Sequence, residues 1–398
     1  MSEVAELEEL EPRPAGGSSW ISRVVLADVE LELERVLASL TIRHGRDDVS
    51  GGLQSTTATL PLRNIHRDEL TTFQCGVSLV IYDLNGLEIF TGQVSDLELV
   101  DDDPLLDDVL TVTATSSLAL AGRRNVGGHS WPAETWSQRM RRILDEAGLV
   151  GIVQAPSPDV PMAATVPDPD SGAYPSMSAL DALEADREAV GSTAYDDELG
   201  RIVVQAFDGR GALEKLLMDA GSILYAPAWG MTLDVVNRVV LGYGYGAGSV
   251  TVDELVSQGV YGVRWTGVFD SGLADATTAT RRAQVWLDRL TFPRWKMPGL
   301  TILGRAPLQV GMRLELSELP ASAPLSAWTP IVEGWTDTVD GDDWTQDVVL
   351  SDPIFSGLAL RWQDVTAGLR WQDVSPACRW TDADVIDNLT RSRELAYA

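Results

Sequence analysis

From Trp20 onward, apolar and polar residues alternate at period two over long stretches. In "DVELELE" (28–34) and "SLTIRH" (39–44) every second position is apolar, the mark of a strand with one buried face. The segment "GVSLVIYDLNGLEIFTGQVSDLEL" (76–99) holds two such runs around Asn85 and Gly86. It predicts a hairpin whose primed turn has positive φ at both central residues. "VLTVTAT" (109–115) supplies a further strand after the acidic connection "DDDPLLDD" (101–108), so residues 18–124 read as a first antiparallel β domain.

At "HSWPAETWSQRMRRILDEAG" (129–148) the period lengthens to that of a helix. Trp136, Met140, Ile143, Leu144 and Ala147 fall on one face, with Pro132 expected in the first turn and Gly148 at the stop. Past the Pro-rich linker 155–172, Ser178 and Asp181 stand at capping-box spacing before a second helix with Leu180, Leu183 and Val190 on one face. "STAYDDELGRIVVQAF" (192–207) reads as a hairpin turned by Glu198 to Gly200. Residues 125–230 therefore form an α+β module. A third helix through "GLADATTATRRAQVWLDRL" (272–290), with Asp270 as its cap and Pro293 beyond its end, makes 250–293 a helical insertion. Around it, strand signals in "DVVNRVVLGYG" (234–244), "LTILGR" (300–305), "VGMRLELSEL" (310–319), "TPIVEGWTDTV" (329–339) and "WTQDVVLSD" (344–352) define a second β domain over 231–356. The fold class is α+β, dominated by β.

An internal repeat links the two β domains. "GVSLVIYDL" (76–84) aligns with "GMRLELSEL" (311–319), matching Gly76 with Gly311, Leu79 with Leu314 and Ile81 with Leu316. Downstream, "FTGQVSD" parallels "VEGWTD", each with a hydrophobe two residues before a glycine.

Composition narrows the function. In 398 residues, 30 basic side chains face 59 acidic ones, for a net charge of −29. A protein that wraps nucleic acid needs cations to replace phosphate counterions, so this balance excludes that class. No apolar run approaches the roughly 18–20 residues that cross a bilayer. The start, with five glutamates in its first eleven residues, is acidic where a signal peptide is basic and then apolar. Residues 1–17 read as a disordered acidic leader, and the chain is expected to be made in a cytoplasm.

Candidate chemistry is sparse. Cys75 and Cys378 stand far apart, are read as buried small hydrophobes, and offer no disulfide framework or thiolate cluster. No two of His44, His66 and His129 lie within four residues of each other. The acid groups Asp101–Asp103, Asp168 with Asp170, and Asp340 with Asp342 and Asp343 miss the twelve-residue calcium-loop pattern and read as solvated turns. "GYGYGAG" (242–248) places Ala247 where a dinucleotide loop needs its third glycine, and so reads as a tight turn. Arg139, Arg141 and Arg142, like Arg281 and Arg282, read as polar helix faces. No catalytic, cofactor or metal residues are assigned, and the chain is expected not to be an enzyme.

The clearest oddity is "LRWQDVTAGLRWQDVSPACRW" (360–380), where Trp362, Trp371 and Trp380 recur every nine residues. Nine steps on one helix, or an odd spacing on one strand, turn successive side chains to opposite faces. Short strands broken by "TAG" and "SPA" reset the register and let three indoles point alike. Either they cover a small satellite core, or they form an arm over 357–398 whose indoles dock on a partner, the reading favoured here because aromatic anchors dominate interface energies.

The order of "SLTIRHGRDD", "TATLPLRN", "FTGQVSDLEL", "RRNVGGHSWPAETWSQRMRRIL", "NRVVLGYG", "SQGVYGVR", "GWTDTVDGDDWTQDVVLSDP" and the terminal W-x-D-V units resembles that of minor tail proteins of long-tailed bacteriophages, especially those infecting actinobacteria. More broadly it resembles the baseplate hub, or tail-tip hub, family. The resemblance implies two tail-tube-like antiparallel β-barrel domains in each chain and a homotrimer whose six barrels form a ring. It implies partners among tail proteins (the distal tail or tube ring, the fibre or spike, the tape measure), a channel for DNA ejection, and a place at the virion tail tip after assembly in the host cytoplasm. No cofactor is implied. A cell-wall hydrolase and a carbohydrate-binding attachment module, with the three tryptophans stacking on sugars, are the rival readings.

Overall fold

The computed structural model describes residues 20–351 apart from 32–38, 47–51, 64–68, 101–108, 157–158, 207–214, 219–222, 226–228, 232–234, 270, 292–294, 298, 317–327 and 341–342. The expected leader and the C-terminal arm with Trp362, Trp371 and Trp380 lie outside the described residues.

Among the described residues, seven strands build the first β unit: β1 (Ile21–Leu26), β2 (Val29–Leu31), β3 (Ser39–Gly45), β4 (Thr57–Arg63), β5 (Ser78–Asp83), β6 (Glu88–Val100) and β7 (Val109–Thr115). Their neighbours run β3-β4-β7-β6-β5-β1-β2, all antiparallel. The alternation seen in the sequence is the alternation of burial: in β5, Leu79 and Ile81 are buried while Ser78, Val80 and Tyr82 are half-exposed. At the tip of the β5–β6 hairpin, only Gly86 has positive φ. The turn is therefore not the primed type expected from Asn85–Gly86. The Asp83 carboxylate accepts the amides of Asn85 and Leu87 at 2.9 and 2.8 Å and holds a wider loop.

The second unit repeats this pairing. Strand Ile331–Asp340 pairs with Asp343–Ser351 as β6 pairs with β7, and Asp343–Ser351 pairs with Gly299–Leu303 as β7 pairs with β4. Ile223–Tyr225 then lies against Gly299–Leu303, as β3 lies against β4. The match holds at the level of single hydrogen bonds. The Gly76 amide donates to Val94 O and the Val94 amide to Val77 O, while the Gly311 amide donates to Val332 O and the Val332 amide to Met312 O. Both glycines have positive φ, +93° and +86°. A register shift follows at the same place, between Val94 and Asp96 and between Val332 and Gly334. The upstream part of the sequence repeat is thus structural. Its downstream part is displaced by four residues, because Val332 matches Val94 and not Phe90. The true correspondence is "FTGQV" with "WTPIV", which sets Phe90 opposite Ile81 and Trp328 opposite Leu316.

The two units do not close into two barrels. Strand Ile331–Asp340 pairs with β3 from Gly334↔Gly45 to Asp340↔Ser39, so both units share one open thirteen-stranded sheet, counted over the described residues. Each unit keeps its own core, one around Ile42, Leu60, Ile81 and Val112 and the other around Leu300, Leu314, Val332 and Val348.

A third core belongs to the α+β body. Thr135 and Gln138 form a capping box at the start of helix Trp136–Ala147, and Gly148, at φ 63°, ends it. Pro132 lies before this helix and not in its first turn. Helix Ala179–Val190 is capped by Ser178, which accepts the Asp181 amide. Helix Ala276–Leu290 is capped by Asp275 and not by the expected Asp270, which lies outside the described residues. Two expectations about boundaries change. Strand Arg238–Tyr243, assigned to the second β domain, pairs instead with Gly248–Asp253 and Trp265–Val268, and its Val239 and Leu241 pack in the α+β core beside Trp136 and Met140. The 250–293 insertion is accordingly mixed rather than helical. Conversely, Lys215–Met218 and Ile223–Tyr225, assigned to the α+β module, join the large sheet. "GYGYGAG" turns the hairpin between Arg238–Tyr243 and Gly248–Asp253, as expected.

Candidate functional site, the polar seam between the β units

The junction of β3 with Ile331–Asp340 is lined by charge. In both strands the core-facing phase runs through apolar residues and then meets a polar one: Leu40, Ile42 and His44 on β3, Trp335, Asp337 and Val339 opposite. Asp337 is 4% exposed. Its carboxylate accepts both indole N–H groups, Trp335 Nε1 and Trp344 Nε1, each at 2.8 Å, and Gln346 Nε2 at 2.8 Å. His44 Nε2 stands 3.3 Å from Asp337 Oδ2, and the His44 ring stacks on Trp335 at 4.5 Å. Burial pushes the Asp337 carboxyl up, but the His44 contact and the indole and amide donors outweigh it and hold the group below its ordinary range.

A second pair crosses the same seam one step along. Arg46 Nε and Nη2 donate to Glu333 Oε2 at 2.9 and 2.8 Å, both side chains being buried, and Ser351 Oγ donates to Glu333 Oε1. Above them, Arg305 joins three elements: it donates to Asp83 at the β5–β6 turn, lies 3.4 Å from Glu198 on the 192–206 hairpin, and covers the Trp344 ring at 5.7 Å. Burial lowers the Arg305 guanidinium from its usual value. Burial, with Asp337 and Asp197 nearby, pushes Glu198 up to about 7.

The same hairpin ties the α+β body to the first unit. Buried Asp196 accepts the amides of Thr56 and Leu118 at 3.1 and 2.8 Å and the Ser116 hydroxyl. Desolvation outweighs these donors and raises its carboxyl to about 7. Within the α+β body, Arg139, expected on a polar face, is fully buried. It donates to Glu134 Oε1 at 2.7 Å, to Tyr245 and to the Pro132 and Ala163 carbonyls. Desolvation raises the nearby Asp186 to about 6.

These groups hold elements together through hydrogen bonds to protein partners, with Nη1 of Arg46 left buried and without one among the described residues. Among the described residues no cluster of three metal-ligating side chains occurs. Asp168 behaves as the expected solvated turn acid, accepting the Asp170 and Ser171 amides at 3.0 and 2.8 Å. Cys75 is exposed, contrary to the expectation of burial, and Cys378 lies outside the described residues. Sequence reading missed His44, Arg46, Asp196, Glu333 and Asp337. For His44 and Asp337 the available signal was phase, a charged or polar residue at the in-phase position of an alternating strand; Asp196 lies on a strand buried at every position and Arg46 beyond the end of β3, where phase gives no signal.

No protein-family model matches the sequence. A 65-residue stretch is 34% identical to the transcriptional activator GLI3 of Gallus gallus, but it spans 16% of this chain and 4% of that protein, too little to carry a fold or a function. The solved structures are more informative. A 43 kDa tail protein of prophage MuSo2 from Shewanella oneidensis superposes with a TM-score of 0.59 at 13% identity, over 85% of this chain and 99% of its own. A tail protein from Neisseria meningitidis gives 0.60 at 11% identity over 84% and 97%. An Escherichia coli component of the type VI secretion system, itself similar to bacteriophage tail proteins, gives 0.52 at 10% identity over 84% and 78%. The chain has the fold of phage tail proteins.

Proposed function

We propose that this chain is a structural component of a phage tail tip: a homotrimeric hub that joins the tail tube or distal tail ring to a fibre or spike and surrounds the channel through which DNA leaves. The observation that carries the reading is the repetition of one β unit within a single sheet. Three copies of a two-unit chain present six similar units, which matches a sixfold tube at one end and a threefold tip at the other. The likeness to tail proteins supports the same reading. The acidic balance suits it as well, since carboxylates along a lumen repel phosphates and let DNA pass without sticking. Assembly takes place in the host cytoplasm, with the tape measure and tube proteins as further partners. In this reading the charged residues are structural and the protein is not an enzyme; the 357–398 arm docks on another tail protein through Trp362, Trp371 and Trp380.

A reconstruction of the assembled particle tests this directly. Three copies encircling the tail axis are expected; a single copy, or a position off the axis, sinks the hub. Zymography of the purified chain on cell walls is expected to show no clearing, and lysis would replace the structural reading with that of a hydrolase.

A further inference from the structure

The two β units end differently. In the second, Gly334–Asp340 is covered along one side by β3. The matching stretch of the first unit begins at Asp96, just past the shared register shift. It pairs with β7 on one side, and among the described residues nothing pairs with it on the other. Its side chains show what is missing. Leu99, the counterpart of buried Asp337, is 47% exposed, and Leu97, the counterpart of buried Trp335, is half-exposed.

The complementary edge lies beyond the end of the sheet formed by Ile223–Tyr225, on a separate two-stranded ladder. Ile223–Tyr225 pairs with Gly299–Leu303, and the next described strand, Gly230–Met231, pairs with Trp295–Lys296. Carrying the repeat through these pairs matches Trp229, Gly230 and Met231 to Arg43, His44 and Gly45 of β3. Among the described residues their outer side is also unpaired. One chain therefore carries both halves of a junction that it makes once internally. An exposed strand edge is a template for another strand, and a head-to-tail contact of this kind repeats from copy to copy.

We propose that the edge Asp96–Glu98 receives the segment Trp229–Met231, which ends in the strand Gly230–Met231, of a second copy of this chain, antiparallel, in the register of the internal junction. Gly334↔Gly45, Trp335↔His44 and Thr336↔Arg43 become Asp96 opposite Met231, Leu97 opposite Gly230 and Glu98 opposite Trp229. Backbone hydrogen bonds supply the attraction, and burial of Leu97 and Leu99 adds to it. That the contacts close at three copies rests on the hub reading; the pairing itself does not.

The test is disulfide cross-linking of the full chain. Cys75 and Cys378 are replaced by serine, and Leu97→Cys is combined with Gly230→Cys; a Cβ at Gly230 meets no atom within 4 Å. A control chain carries Leu99→Cys with Gly230→Cys, two residues out of register and so about 7 Å further apart along the strand. Circular dichroism confirms that both fold, and light scattering before oxidation reports association. At least tenfold more covalent multimer is expected from the in-register pair, closing at three. If copies associate but this pair links no better than the control, the edge pairing is overturned and the hub reading stands. Covalent chains that run past three leave the pairing intact and overturn the trimer. A chain that neither associates nor links at any concentration overturns the pairing. As a second check on the wild-type background, Leu99→Lys changes an exposed side chain and should weaken self-association at least tenfold without lowering the melting temperature; unchanged association counts against the seam.

Discussion

Asp337 shows how much a single buried carboxylate can organise. It gathers two indoles, a glutamine and a histidine at the line where the two β units meet. Asp337→Ala would leave those donors without an acceptor in a buried site, a change that typically costs about 3–5 kcal/mol, so a fall of several degrees in melting temperature is expected, and a neutral result would show the seam to be dispensable. Asp196 and Glu198 act in the opposite sense. Their folded-state values, each about 7, stand above the ordinary carboxylate range. The folded state therefore binds more protons than the unfolded state between about pH 4 and 7, and stability falls as pH rises through that window. Asp337 and Glu134, whose values are lowered, contribute stability that is lost only at more acid pH, as pH falls through their folded values. Melting temperature should thus peak in mildly acidic buffer. Asp196→Asn should remove a large part of the decline between pH 5.5 and 8, about 2 kcal/mol, since about 1.5 pH units of that window lie below the folded value; an unchanged slope would mean that Asp196 does not titrate there.

Among the elements, the paired glycines at the entry of β5 and of strand Arg313–Leu316 offer a controlled comparison. Gly76 and Gly311 have the same positive φ and the same hydrogen-bonded partners in the repeat, but different surroundings. A Cβ at Gly76 meets nothing within 4 Å, whereas at Gly311 it lies 2.6 Å from Gln205 Oε1. Both alanine substitutions carry the conformational cost of about 1 kcal/mol. Gly311→Ala should cost more, because Gln205 is fully buried and bonded to Gln154. Urea unfolding of the two variants measures the difference, and equal losses would mean that the hairpin carrying Gln205 yields freely. This scale also shows what was legible in the sequence. Strands β3, β5, β6 and β7 and the three long helices were visible because their periodicity is set by local burial, whereas β4 was not read as a strand. The assignment of Arg238–Tyr243 to the second β unit failed because an alternating strand records that one face is buried and not which sheet buries it. The two closed barrels failed for a similar reason, since pairing between β3 and Ile331–Asp340 joins residues almost 300 apart. The polar seam was hidden by the habit of reading Asp and His as surface residues, although their strand phase pointed inward.

For the whole molecule, charge and edge geometry pull against each other. A head-to-tail strand contact draws copies together over a few ångströms, while chains of net charge −29 repel over a screening length of about 8–10 Å at physiological salt. The balance predicts that self-association strengthens as salt rises, the reverse of nucleic-acid binding, where salt weakens the complex. Analytical ultracentrifugation of the full chain at 20 and 300 mM NaCl should show the larger species favoured at the higher salt. The same chain should retain no duplex DNA in a mobility-shift assay at either concentration. Association that weakens with salt would mean that complementary charges, not strand edges, hold the copies together, and the acidic residues would then have to be sought at the interface rather than along a lumen.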